Sequence, residues 1–209
     1  MEALIKKSIN GNVATLTLNR PKGFNSFNRE MALLFQDELK ACDKDDSIRA
    51  ILITGEGKAF CAGQDLKEVT TPELNPGFKK ILKEHYNPII ELIRNIEKPI
   101  VCAVNGVAAG AGANIALACD IVIASEHASF IQAFSKIGLV PDSAGTFFLP
   151  RLIGFQKASA LMMLGDKVSA KEAEELGMIY KVFSVEEYFS EAEKTAQTLS
   201  QMPTKALGM

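Results

Sequence analysis

Asp142 is the one carboxylate among the twenty residues from Gln132 to Arg151, where it follows Pro141 and precedes Ser143-Ala144-Gly145 amid apolar neighbours. A carboxyl group so placed either caps a helix or, once desolvated, moves protons with a raised pKa. Two glycine-containing turns accompany it, Lys58-Ala-Phe-Cys-Ala-Gly-Gln-Asp-Leu66 and Asn105-Gly-Val-Ala-Ala-Gly-Ala-Gly-Ala-Asn114, each directly after a run that reads as a strand. Small residues let a backbone approach a ligand closely. Free N–H groups at a strand-to-helix turn bind negative charge, and two that face one another hold the oxygen of a polarised carbonyl, an oxyanion hole. Phosphate cradling and plain helix–sheet packing are the competing readings. Neither turn is G-x-G-x-x-G, and neither has the Gly-Lys-Ser/Thr of a P-loop.

The rest of the chain must supply the frame. Residues 3 to 9 and 12 to 18 alternate around Asn10-Gly11, which predicts a hairpin. Asn28 is placed to cap a helix over 29–43, with Met31, Leu34, Phe35 and Leu39 at helical spacing. Ile48–Thr54, Ile100–Val104 and Ile121–Ala124 read as buried strands. Residues 70–77, rich in Thr, Pro and Asn-Pro-Gly, predict a mobile loop, and an amphipathic helix runs from there to about Asn95. Helices are expected at 145–152, 155–164, 169–176 and 185–201. Strand–helix alternation with buried strands predicts one α/β domain with a helical C-terminal part.

Composition sets limits. The chain has 209 residues, 47% hydrophobic and 23% charged, with a formal net charge of −2, so nothing electrostatic points to nucleic acid or an anionic membrane as partner. Four scattered cysteines (Cys42, Cys61, Cys102, Cys119) and two histidines (His85, His127) predict no metal site. The start Met-Glu-Ala-Leu-Ile-Lys-Lys has no signal-peptide core, and no apolar run is long enough to span a bilayer. A cytoplasmic protein is expected.

With Arg20-Pro21-x-x-x-Asn25-Ser26 and Gly138-Leu-Val-Pro-Asp-Ser-Ala-Gly-Thr146, the two turns resemble the crotonase (enoyl-CoA hydratase/isomerase) superfamily from about residue 3 to 207. The resemblance implies a ββα superhelix, or spiral, with C-terminal helices. Residues 1–198 would form the acyl-CoA-binding core and 199–209 the start of a helical trimerisation region whose remainder is absent, so that the chain looks truncated. It implies an acyl-CoA thioester substrate, no separate cofactor, and a homotrimer or a hexamer built as a dimer of trimers. The backbone N–H groups of Gln64 and Ala111 would hold the thioester enolate. Hydratases of the family use two glutamates, and the matching positions here are Asn114, which serves only as a polar orienter, and Phe134. Asp142 matches the carboxylate of isomerases that move a double bond, among them the epoxyphenylacetyl-CoA isomerases, and that of a dehalogenase. The dehalogenase histidine position is Asn87, and the chain has no Trp.

Asp142 is therefore read as the proton shuttle of an acyl-CoA isomerase, its carboxyl walled by Phe134, Ile137, Leu139 and Phe147, with helix capping as a second duty. Ala62, Gln64, Asp65 and Leu66 would lie along CoA, and Lys22, Phe24 and Lys58 near its phosphates and ribose, although a solvated surface role suits the lysines as well. Phe134, Leu139 and Phe147 would line the acyl pocket. His85 reads as a helix-surface residue, Asp120 as a structural hydrogen-bonding residue, and Cys61 as packing. Hydration, acyl-CoA dehalogenation and non-catalytic acyl-CoA binding remain as alternatives.

Overall fold

Alternating residues at the start close a hairpin, β1 (Ile5–Asn10) with β2 (Val13–Leu18), whose register pairs Asn10 with Val13. The two-residue loop is therefore Gly11-Asn12, one position later than Asn10-Gly11, with Gly11 supplying the positive φ of 57°. These elements belong to a computed structural model that describes residues 3–209, so Met1 and Glu2 of the segment read for a leader lie outside the described residues.

Helix α1 (Arg29–Lys44) begins where predicted, with the Asn28 side chain accepting from the Met31 amide. After it come β3 (Ala50–Gly55), β4 (Ala59–Cys61) and α2 (Leu66–Thr70). The Thr- and Pro-rich segment is a succession of turns, with the Leu74 and Asn75 amides donating to the Thr71 carbonyl. The predicted long helix runs without a break through α3 (Phe78–Ile81), a π-helical turn over Leu82–Tyr86, and α4 (Asn87–Asn95). Then follow β5 (Ile100–Val104), β6 (Val107–Ala109), α5 (Ala111–Leu117), β7 (Ile121–Ser125) and β8 (Ser129–Ile131). The last part holds α6 (Gly145–Ile153), α7 (Phe155–Leu164), β9 (Lys167–Ser169), α8 (Ala170–Glu175), β10 (Lys181–Phe183), α9 (Tyr188–Ser200) and α10 (Thr204–Gly208).

The strands divide into two sheets, β1-β2-β3-β5-β7-β10 and β4-β6-β8-β9. Three times over, the chain lays a long strand in the first sheet and then a short one in the second: β3 and β4, β5 and β6, β7 and β8. Successive units stack in parallel register, which is the predicted ββα spiral. Ala50, Leu52, Val101, Ala103 and Ile123 pack on one face of the large sheet against Ala192 and Ala196 of α9. Leu16, Ile51, Ile53, Cys102 and Val104 point into the main core between the sheets and α1, α4 and α5. Period-2 alternation therefore survives, but with both faces covered. The segment after α9 is tied to the surface beside β3, where Arg49 donates to the Thr204 hydroxyl at 3.1 Å and to the Met202 carbonyl at 2.6 Å. Among the described residues no helix is long and apolar enough to cross a membrane.

Candidate active site

The first glycine turn is braced from the N-terminal side. Asn25, itself at φ 54°, donates through its side-chain amide to the Glu56 and Ala59 carbonyls at 2.9 and 2.7 Å and accepts from the Arg20 amide at 2.8 Å. Arg20 also binds the Ser26 carbonyl and pairs with Asp65 at 2.7 Å. Phe27 then forms an isolated parallel bridge with Gln64. The Phe27 amide donates to Gly63 O at 2.7 Å, and the Asp65 amide donates to Phe27 O at 2.8 Å. This pairing uses the Gly63 carbonyl and the Asp65 amide and leaves the Gln64 amide between them unbonded among the described residues.

The second turn presses against the first. A Cβ on Gly112 would stand 2.3 Å from Cys61 O, and one on Gly63 would stand 2.9 Å from Ala109 O and 3.4 Å from Ala111 N. Gly110, at φ 53° and ψ −125°, turns the chain into α5. Ala111 therefore opens the helix with its amide also unbonded among the described residues. Two free amides now border one cavity, since Gln64, Gly110 and Ala111 all line it.

Asp142 lies on the same cavity, which has a volume of about 180 Å³ and is otherwise walled by apolar groups including Leu66, Phe78, Ile81, Leu82, Phe134, Ile137 and Leu139. Burial pushes its carboxyl up to about 6, against a smaller lowering by the Ser143 hydroxyl, which donates to Oδ1 at 2.9 Å. The following Ser143 and Ala144 both adopt left-handed backbone, at φ 50° and 57°, a conformation that costs non-glycine residues free energy and persists where the surroundings enforce it. Here the Asp142 carbonyl accepts from the Gly145 amide at 2.9 Å and from Asn114 Nδ2 at 2.8 Å. Gln132 Nε2 in turn donates to Asn114 Oδ1 at 2.8 Å. A carbonyl only accepts, so the orientation of each amide in this relay is determined. Gly145 is needed because a Cβ there would lie 2.3 Å from Asn114 Nδ2.

The predicted cap does not form: α6 is preceded by Ala144 with no side-chain cap, and the Asp142 carboxyl bonds Ser143 instead. Two left-handed residues separate it from the helix and turn it toward the cavity. Ala62, Gln64, Leu66, Ala111, Phe134, Leu139 and Asp142 come together as expected. Phe147 does not. It is half exposed and stacks on Arg151, 3.6 Å from guanidinium carbon to ring centre, because i, i+4 spacing puts both on the outer face of α6. Asn114 reaches the main chain of Asp142 rather than the cavity. Lys22 and Phe24 are exposed on the short 3₁₀ turn Pro21–Gly23 and its cap, outside the cavity lining. Asp65 caps α2 through the Lys67 amide at 3.0 Å while paired to Arg20.

Burial holds the Cys61 thiol up at about 12 and removes it as a nucleophile. Asp120 accepts from the Ile100 amide and pairs with Arg94, a structural role. His85 is fully buried rather than on the surface, because the π-turn rotates it inward. Burial lowers its pKa and favours the neutral ring. Tyr86 and Gln132 carry no local sequence signal that marks them. Both act through partners remote in sequence, and only the π-turn and the β8 exit bring them to the site. Among the described residues no group of three or more His, Cys, Asp or Glu is arranged to hold a metal.

The model of the enoyl-CoA hydratase/isomerase family matches residues 8–209. The chain belongs to that family. It is 44% identical to the 1,2-epoxyphenylacetyl-CoA isomerase of Escherichia coli K12, over 100% of this chain and 80% of the relative. It is 41% identical to a trans-2-decenoyl-[acyl-carrier-protein] isomerase of Streptococcus mutans, over 84% and 67%. The crystal structure of an enoyl-CoA hydratase/isomerase from Pseudoalteromonas atlantica superposes with a TM-score of 0.90 at 35% identity, covering 99% of this chain and 80% of that one. As a member of the hydratase/isomerase family the chain is an enzyme, and the non-catalytic alternative falls.

Proposed function

We propose that the chain is an acyl-CoA isomerase that shifts a double bond, or rearranges an epoxide, in a CoA thioester of the epoxyphenylacetyl type, with Asp142 as its proton shuttle. The observation that carries this reading is a lone carboxyl group in an apolar cavity that also presents two unbonded backbone amides. The thioester oxygen sits between the Gln64 and Ala111 amides, and each donor is typically worth about 2.7–4 kcal/mol in the transition state. The Asp142 carboxylate takes a proton from the α carbon, leaving an enolate whose charge rests on that oxygen. The resulting carboxylic acid returns the proton two carbons along, so the double bond moves and nothing is gained or lost. With a pKa of about 6, Asp142 is about 90% ionised at pH 7 while being a stronger base than an exposed aspartate.

Phe134 and Asn114 stand where a two-glutamate hydratase needs acids, and Asn114 is engaged by the Asp142 carbonyl and Gln132. This supports isomerisation over water addition. The protein's own groups supply every step, so no cofactor beyond the CoA of the substrate is needed, and assembly as a trimer or hexamer in the cytoplasm accompanies the reading. The test is a panel of aryl- and alkyl-acyl-CoA esters incubated in deuterated water. The expected result is α-proton exchange and isomer formation that Asp142→Asn abolishes. Stoichiometric conversion of crotonyl-CoA to 3-hydroxybutyryl-CoA would instead establish a hydratase.

A further inference from the structure

The Gln64 side chain is held at both ends, although only its backbone amide has been given a task. The Tyr86 phenol donates to Gln64 Oε1 at 2.9 Å. Gln64 Nε2 donates to Glu68 Oε2 at 2.7 Å, and the other oxygen of Glu68 accepts from the Arg29 amide at 2.8 Å. The line runs from the π-turn through the oxyanion turn to α2 and the start of α1. Tyr86 is 1% exposed, and its ring packs edge-on against Phe27, 6.3 Å between centres. Phe27 is the residue whose backbone bridges Gln64. The same aromatic pair therefore secures residue 64 twice, through its backbone and through its side chain.

We infer that Tyr86, itself part of the cavity wall, is a positioning residue of the oxyanion hole: with Glu68 it fixes the Gln64 side chain at both ends and so aims the Gln64 amide at the substrate oxygen beside Ala111. The inference rests on the isomerase reading of those two amides. Three further facts bear on it. The phenol has one best acceptor and burial keeps it protonated, so the hydrogen bond runs in one direction and determines the orientation of the Gln64 amide group. The π-turn over Leu82–Tyr86 inserts one residue into an otherwise α-helical segment. Each residue turns a helix by about 100°, so without the insertion Tyr86 would leave Gln64 and Phe27. Such insertions recur at functional sites. Finally, Gln64 is only half buried at the rim of the cavity, so that its side chain is held by these hydrogen bonds in addition to the backbone bridge to Phe27.

The experiment is a double-mutant cycle on the full chain, read as isomer formation and α-proton exchange with an acyl-CoA ester that the wild type turns over. Tyr86→Phe should lower kcat about tenfold with KM changed less than twofold, since misplacing a reacting geometry costs rate more than ground-state binding. Gln64→Ala keeps the backbone amide and should lose a similar factor. The double variant should be no slower than either single one, because both cut the same tether. Turnover of Tyr86→Phe within twofold of wild type would overturn the inference. So would losses that multiply in the double variant, which would mean that the phenol touches substrate directly. If Tyr86→Phe does not fold, Gln64→Ala against Glu68→Gln closes the same cycle: losses that fail to multiply support the tether, and losses that multiply overturn it. Asp142→Asn, run alongside, keeps the two readings apart: normal turnover in that variant defeats the isomerase reading itself, whatever Tyr86 does.

Discussion

The two halves of the site are built on opposite principles. The two glycine turns are made of backbone, and their precision comes from having no room: Gly63 and Gly112 let the turns touch where a single Cβ would collide with a carbonyl. The Asp142 segment is made of one side chain on a strained, partly exposed turn. Its precision comes from polar tethers, Asn114 and Gln132 beneath it and Ser143 beside it. Stabilising charge needs fixed dipoles, which a jammed backbone provides at no reorganisation cost. Moving a proton needs a group whose acidity is tuned by its surroundings, and a desolvated side chain provides that.

The comparison can be broken at its most exposed point first. Asp142→Asn should reduce isomerisation at least a hundredfold, in line with general acid–base contributions of about 10²–10⁴, while acyl-CoA binding persists by calorimetry. Gly112→Ala should act through space alone. Its Cβ meets Cys61 O at 2.3 Å, so both turns must part, with a stability loss of about 1–3 kcal/mol in denaturant titration and a fall in turnover.

Acidity gives a smaller effect. Because the Asp142 pKa is raised to about 6, kcat/KM should climb with pH through that value and level off above it, with roughly a tenfold deficit at pH 5. Stability runs the other way. The native carboxyl holds its proton to higher pH than the unfolded one, whose pKa is near 3.8, so the folded state binds more protons between about pH 4 and 6. Stability contributed by this group is full below pH 4, is lost as pH rises through 6, and amounts to about 2–3 kcal/mol. Asp142→Asn should accordingly raise the unfolding midpoint at pH 7 more than at pH 4. Least affected should be Gln132→Met, which cuts the relay at its far end; a two- to fivefold loss of kcat is expected, with an unchanged pH limb in the rate profile.

Much of this was legible in the chain itself. Asn28 capped its helix, the three β-branched runs became β3, β5 and β7, and the two glycine turns with Asp142 met at one cavity, because propensity, periodicity and the absence of side chains are local properties. Other readings failed where a local signal had two tertiary outcomes. Phe147 and Phe134 are both aromatic near Asp142, yet one stacks on Arg151 in the open and the other lines the cavity. Asp142 was well placed to cap a helix until two left-handed residues intervened. His85 sat in an amphipathic pattern that the π-turn rotated inward.

By itself the sequence determined an α/β domain, two glycine turns after buried strands and a lone carboxyl group among apolar residues, since these follow from residue size, hydrophobic period and charge along short stretches of chain; the spiral came only from the family resemblance. Only the tertiary structure decided that Tyr86 holds Gln64, that Gln132 and Asn114 hold the Asp142 main chain, and that the acid faces the cavity. Those choices depend on hydrogen bonds spanning 18 to 28 residues, whose directionality is satisfied once the two sheets have stacked and brought the partners within about 3 Å.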